Sequence, residues 1–256
     1  MSPPTPGAAA HFSQKPWHPL HYLPDSARSV LDLGCNVGDL LVDLQRLGVP
    51  RLHGMDVNAA AVARARERLQ SGAEVMAGSA DRLPWADGSM DTVFCLEVLE
   101  HIPAPLRAPA LAEVHRVLAP QGRLVLSVPH AGLFAPLDPA NARLRAPRLF
   151  RWASQRLGGR GREAGYASGE ADIVWHHHFT LSELRALLEP RFAVRQLRWR
   201  GGLLAPLGHW LEWPFYRLQR ADHPLMRGLQ RLIERDYATP QGERLAYDVL
   251  LVAERL

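Results

Sequence analysis

Residues 30–40 read VLDLGCNVGDL: an apolar run holding one acid, a short turn with two glycines, then the start of a helical pattern. Gly34 can take a positive φ without steric cost and lets a ligand approach the backbone. Gly38 opens a helix whose first N–H groups favour polar or anionic groups. A dinucleotide site calls for G-x-G-x-x-G after the strand. The turn here is G-C-N-V-G, with no third glycine in register, which disfavours a nicotinamide dehydrogenase. Asp32 stands just before the turn. A carboxylate there repels a pyrophosphate and attracts an ammonium group, so the turn favours a ligand with a free amine.

Outward from this stretch, strand and helix patterns alternate. SVLDL, RLHGMDV, AEVMAG, MDTVFCL and RLVLSVP read as strands. Between them, GDLLVDLQRLG reads as a helix closed by Gly48, and NAAAVARARERLQ as a helix capped by Asn58. APALAEVHRVLAPQG reads as a helix stopping at Pro120 and Gly122. The alternation predicts an α/β fold: a Rossmann-like, doubly wound, seven-stranded, mostly parallel sheet with helices on both faces. Such sheets bind ligands at the carboxyl ends of their strands, beside the point where strand order reverses. After Pro129 the rhythm breaks. Residues 130–178 form a long lid-like connection with one helix pattern (APRLFRWASQRL) and a Gly-rich stretch at 158–169. Thr180 and Glu183 then match a capping box before a short helix. FAVRQLRW is a sixth strand pattern and LAYDVLLVAERL a seventh, with a helical insert at 201–245 before the last strand.

Composition agrees with one large domain over 28–256, preceded by an N-terminal arm over 1–27; its first residues, MSPPTPGAAAHFSQKP, are rich in Pro and Ala, read as loose, and lack the basic start and apolar core of a signal peptide. The two cysteines, Cys35 and Cys95, make neither a disulfide framework nor a zinc spacing, which suits a reducing, cytoplasmic setting. No stretch approaches the roughly 18 unbroken apolar residues of a membrane span. The net charge of +4 is uneven: residues 1–141 carry 11 basic and 14 acidic side chains, and residues 142–256 carry 19 and 12. Arg-rich solvated surface accounts for this. An anionic acceptor or acidic membrane surface is the sharper reading. Basic residues without aromatic interleaving or a known motif disfavour nucleic acid.

Asp56 closes the second strand, where an acid typically hydrogen-bonds ribose hydroxyls. An amine-seeking acid, a glycine turn and a ribose-seeking acid together describe S-adenosylmethionine. Four stretches, VLDLGCNVGDL, HGMDVN, AGSADRLPWADGSMDTVFCLEVLEHI and HRVLAPQGRLVLSVP, resemble in order and spacing the class I S-adenosylmethionine-dependent methyltransferases. The chain is most similar to the small-molecule branch that includes the ubiquinone and menaquinone biosynthesis enzymes. The resemblance covers residues 28–130 well and the remainder loosely. It implies that Asp32, Gly34 and Gly38 form the cofactor turn, lined by the Cys35 and Asn36 backbone. It implies Asp56 as ribose ligand, Val57 packing on the adenine, and Ala80 offering its N–H to the ring. Leu96, at the close of the fourth strand, would touch the methionine part. Where the family carries an adenine-binding acid, this chain has Ser79, with Asp81 two residues on. Either Ser79 bonds the adenine or Asp81 substitutes.

These features imply methyl transfer from S-adenosylmethionine, releasing S-adenosylhomocysteine, to a small-molecule or lipid-linked acceptor, most readily at oxygen. Rival readings are a macromolecule-directed methyltransferase and a non-catalytic binding protein that keeps the fold. An oxygen acceptor is helped by a base. His130, at the end of the fifth strand, is the first candidate, and His177 and His178 follow. His101, in LEVLEHI, reads as structural. Asp138 and Asn141, in LDPAN, would orient a histidine, bind the acceptor or simply make a turn. His176, His177 and His178 cannot all face one point, because neighbouring side chains on an extended segment alternate, so no metal is expected. In the insert, Leu203, Leu207, Trp210, Leu211 and Leu218 recur at helical spacing, with Trp213 and Tyr216 adding amphipathic rings. The stripe reads as a core-facing helix or dimer face. The other reading is an acceptor-site cap or a peripheral membrane contact through 203–220. Oligomeric state is open.

Overall fold

The computed structural model describes residues 18–139, 141, 148, 176–189, 191–217 and 223–256, with the side chains of 213–217 excepted. Apart from Arg148, the expected helix APRLFRWASQRL lies outside the described residues, as do the Gly-rich stretch, Leu218 and the side chains of Trp213 and Tyr216.

In chain order the elements are β1 (Ser29–Leu33), α1 (Asp39–Arg46), β2 (Arg51–Asp56), α2 (Ala59–Leu69), β3 (Glu74–Ala77), β4 (Met90–Leu96), α3 (Ala104–Val117) and β5 (Leu118–Pro129). There follow α4 (Leu181–Leu188), β6 (Phe192–Arg200), α5 (Leu204–Arg217), α6 (Pro224–Ala238) and β7 (Asp248–Arg255). The seven strands form one sheet in the order β3-β2-β1-β4-β5-β7-β6. The pairs β1–β2, β2–β3, β1–β4 and β4–β5 are all parallel. From β1 the chain runs outward to β3, then returns to the other side of β1 and runs outward again. Right-handed crossovers in both directions put helices on opposite faces. The reversal lies between β1 and β4, and parallel register brings the carboxyl ends of β1, β2, β3 and β4 to one edge.

Local chemistry explains the frame. All five residues of β1 are buried, so its sequence is a continuous apolar run broken only by Ser29 and Asp32. The α1 helix ends in a Schellman motif: Gly48, at φ +82, donates to the Gln45 carbonyl and Val49 to that of Leu44. Asn58 caps α2, its Oδ1 accepting from the N–H groups of Ala60 (3.0 Å) and Ala61 (3.2 Å). A core of Val30, Leu41, Leu44, Leu52, Val62, Phe94, Val125 and Leu250 packs around β1.

At the end of the arm, Pro19–Tyr22 forms a 3₁₀ turn, and Leu20, Tyr22 and Ala27 join this core because their apolar surface has it to bury against. Two expectations are corrected. Pro120 and Gly122 do not stop a helix. The α3 helix starts earlier, at Ala104, and ends at Val117, and Leu118 already pairs with Met90. Residues 119–122 bulge out before Arg123 pairs with Thr92; Pro120 lacks a ladder donor and Gln121 sits at φ +63. The insert stripe does not face the core. Leu203, Leu207, Trp210 and Leu211 are exposed, and α5 buries Ala205, Pro206, Gly208 and Glu212 instead.

By packing, the chain divides into two units. The first is Met1–Val128, Leu181–Arg198 and Leu250–Leu256, and the second is Pro129–Thr180 and Trp199–Val249. In the second unit, α5 and α6 pack closely. A Cβ on Gly208 would overlap Ile233, so only glycine allows that approach. Asp236 on α6 accepts from the N–H groups of Gly202 (2.7 Å) and Ala205 (2.8 Å), satisfying donors at the start of α5. Among the described residues, no helix is long and apolar enough to cross a membrane.

Candidate functional site

In the first unit, the turn after β1 is tied down by its own backbone. Gly34 and Cys35 both donate to the Met55 carbonyl (2.7 and 3.0 Å), and Gly38 donates to that of Cys35 (2.8 Å). The Asn36 N–H, at φ +46, donates to Asp56 Oδ2 (2.9 Å), and the Asn58 N–H to Asp56 Oδ1 (2.8 Å). Asp56 therefore does more than stand at a strand end: its carboxylate clamps the turn and orients the start of α2. Each oxygen keeps lone-pair capacity for a hydroxyl donor. The N–H groups of Gly34, Cys35, Asn36 and Gly38 are thereby committed to protein acceptors. Gly34 and Gly38 sit at φ +83 and +81. A Cβ on Gly34 would overlap Val98, so the residue must be glycine for space as well as for φ.

Asp32 is the chemically unusual member. It is 5% exposed and has no hydrogen-bond or ion-pair partner among the described residues. Burial pushes its carboxyl up to about 7 from the ordinary 3.8, helped by repulsion from Asp56 and Asp39. Burial also pushes the Cys35 and Cys95 thiols far up, which leaves both as protonated packing groups. Around this acid lie Val57, 70% exposed just beyond β2, and the half-buried Leu96 at the end of β4. Ser79 and Asp81 follow β3 and are bonded to each other, the Ser79 hydroxyl donating to Asp81 Oδ1. The two residues read as alternatives are thus one pair, with Ala80 between them, and Asp81 is its acceptor.

The sequence reading passed over two supports. Glu97, directly after β4, has a positive φ of 56; its N–H donates to the Ser127 carbonyl (3.0 Å), and its Oε1 accepts from the Ser127 hydroxyl (2.6 Å). A non-glycine residue held in that conformation marks a position where the surroundings impose the backbone. Arg116 on α3 donates to the carbonyls of Leu83 and Trp85 and to Glu113 and Asp87, which pins the segment that follows Asp81. Only the acids Asp87 and Glu113 in the same stretch as Arg116 would have hinted at it. His101 lies in an exposed turn before α3.

In the second unit, His130 is buried and its Nδ1 lies 2.9 Å from the Phe179 carbonyl. A carbonyl only accepts, so Nδ1 carries the proton. Burial holds the imidazole below its usual range, and the carbonyls of Phe179 and Glu243 offset part of that shift. Its ring packs on Trp199 at 4.6 Å between centroids. The alternation expected at 176–178 is present: His177 packs against Phe179 (4.5 Å), whereas His176 and His178 both face Asp138. Asn141 holds the His176 backbone at both ends, Nδ2 donating to the carbonyl (2.8 Å) and Oδ1 accepting from the N–H (2.9 Å).

Residues 31–126 match the family described as methyltransferase domain. Those residues are a methyltransferase domain. The match holds the β1 turn, Asp56, Ser79, Asp81 and Leu96. Relatives of this domain include the ubiquinone biosynthesis O-methyltransferase of Pseudomonas aeruginosa, 36% identical over 121 residues, covering 43% of this chain and 50% of that one. The malonyl-[acyl-carrier protein] O-methyltransferase of Alcanivorax borkumensis is 31% identical over 150 residues, covering 55% and 49%. The chain thus spans about half the length of these curated relatives. Among solved structures, an S-adenosylmethionine-dependent methyltransferase from Mesorhizobium loti shares the Rossmann-like fold, with a TM-score of 0.58, 20% identity and coverage of 93% and 95%.

Proposed function

We propose that this methyltransferase domain binds S-adenosylmethionine and transfers its methyl group to an oxygen of a small-molecule or lipid-linked acceptor. The observation that carries the reading is Asp32. A buried carboxylate with no partner among the described residues, beside a turn tied down by its own hydrogen bonds, suits an ammonium and repels a phosphate. Asp56 has lone pairs left for ribose hydroxyls, and exposed Val57 offers an apolar face to an adenine. Asp81, bonded to Ser79, is the acceptor for the adenine amine. When bound, the sulfonium donor supplies an activated methyl group. The domain's own residues hold the donor in orientation and exclude water. His130 is the first candidate for the base: burial lowers its pKa, which favours the neutral imidazole that a base needs. His177 and His178 are the other candidates.

Oxygen is favoured because the ubiquinone and malonyl relatives are both named O-methyltransferases. A lipid-linked acceptor draws support from the exposed leucines and tryptophan of α5, which also suit a peripheral membrane contact. Calorimetric titration with S-adenosylmethionine and with S-adenosylhomocysteine tests the first step. Micromolar binding of either supports the reading, and absence of binding by folded protein refutes it. Labelled methyl transfer to lipid extracts and quinone precursors then tests the acceptor. His130→Ala should keep cofactor affinity and lose turnover; full turnover removes His130 as base.

A further inference from the structure

We propose that Asp138, His176 and His178 form a binding site for a divalent transition-metal ion such as Zn²⁺. Two of the three adjacent histidines converge, and the third ligand comes from a carboxylate 38 positions before His176. His176 Nδ1 lies 2.5 Å and His178 Nε2 3.2 Å from Asp138 Oδ2. The ligand atoms all lie within 4.8 Å of one another.

The side chain of Asp138 is 2% exposed and that of His178 8%. His178 Nε2 is buried, aims at the carboxylate and makes no hydrogen bond among the described residues. A buried ring nitrogen left without such a bond is costly and calls for an explanation. Asp138 Oδ2 lies within reach of both rings, and a cation held by Asp138, His176 and His178 would supply the partner that His178 Nε2 lacks.

The stereochemistry agrees. Ligands about 2.0–2.2 Å from a tetrahedral Zn²⁺ lie roughly 3.3 Å apart. The His178–Asp138 spacing already matches, and the His176–Asp138 spacing must open by less than about 1 Å. The two imidazoles stand nearly perpendicular, at 84°, and approach the carboxylate from different directions. Asn141 fixes the backbone of His176 in the manner of the outer partners that orient metal-binding histidines. Two imidazoles and one carboxylate select a borderline ion over Mg²⁺ or Ca²⁺, which prefer all-oxygen sets. Three protein ligands leave a position for water or an oxygen ligand. The proposal is independent of methyl transfer, because its test reads metal alone.

The test is titration of the chelator-stripped full chain with Co²⁺, read by visible d–d absorption and by displacement with Zn²⁺. The expected result is saturation at one equivalent. Affinity should fall as pH is lowered, because protons compete with the metal for its ligand atoms. Asp138→Asn and His178→Gln should each weaken binding by more than about 100-fold. His177→Gln, whose ring packs on Phe179 and not toward Asp138, should not. Should Asp138→Asn fail to fold, as judged by circular dichroism, His178→Gln carries the test. Absence of saturable binding, or equal binding in both ligand variants, overturns the proposal.

Discussion

Asp32→Asn removes one charge from the β1 turn and almost no volume. In the ligand-free protein that charge is a burden. A carboxyl raised from its ordinary 3.8 to about 7 ionises in the folded state at a cost on the order of 4 kcal/mol relative to the unfolded chain. The sign follows from proton binding. Below about pH 4 both states hold the proton and the folded state suffers no penalty. Between about pH 4 and 7 the folded state keeps a proton that the unfolded chain has lost, so stability falls as pH rises. Above about 7 the penalty is complete and constant. Urea denaturation of the ligand-free wild type should therefore show this component of declining stability from pH 5 to 7. Asp32→Asn should lack it and should be the more stable protein at pH 8. The same substitution should cost ligand affinity, because the amide offers an ammonium no charge. Binding of S-adenosylhomocysteine to the wild type at pH 6 should release a proton from Asp32, detected by calorimetry in buffers of different ionisation enthalpy. The reasoning is refuted if wild type and variant share one pH–stability profile, or if they bind S-adenosylhomocysteine equally well.

Other substitutions probe the frame. Gly34→Ala forces an alanine to φ +83 at roughly 1–2 kcal/mol and drives its methyl into Val98, so both the urea midpoint and S-adenosylhomocysteine affinity should fall; an unchanged midpoint would contradict the packing. Asn58→Ala deletes the α2 cap and should cost about 1 kcal/mol in urea denaturation, with a cost near zero telling against it. Asp248→Asn removes the carboxylate to which Arg200 Nε donates at 2.6 Å in a buried pair, and should destabilise by about 3–5 kcal/mol. Arg116→Met should speed hydrogen exchange over Leu83–Asp87 by releasing the carbonyls it holds, and protection equal to wild type would show that the segment is held elsewhere.

Much of the architecture was legible because it rests on local periodicity. The MDTVFCL run coincides with β4 residue for residue, and Asn58 and Gly48 punctuate α2 and α1 as their side-chain chemistry dictates. The insert was legible as two helices and illegible in orientation. A leucine stripe specifies which residues share a face, not which face has a partner, and α5 turns Ala205 and Gly208 inward because small residues let α6 approach. Pro120 and Gly122 misled because a strand bulge and a helix end use the same residues.

The sequence by itself determined the alternation of strands and helices, the glycine turn and the two acids at strand ends, since each depends on residues close together in the chain. Tertiary structure alone decided that Asp56 clamps the turn, that Glu97 is held at positive φ by Ser127, and that Asp138 gathers His176 and His178. Those arrangements depend on which distant segments become neighbours, and on how deeply burial removes water from a charge. Neither quantity is written in the order of residues along any one segment.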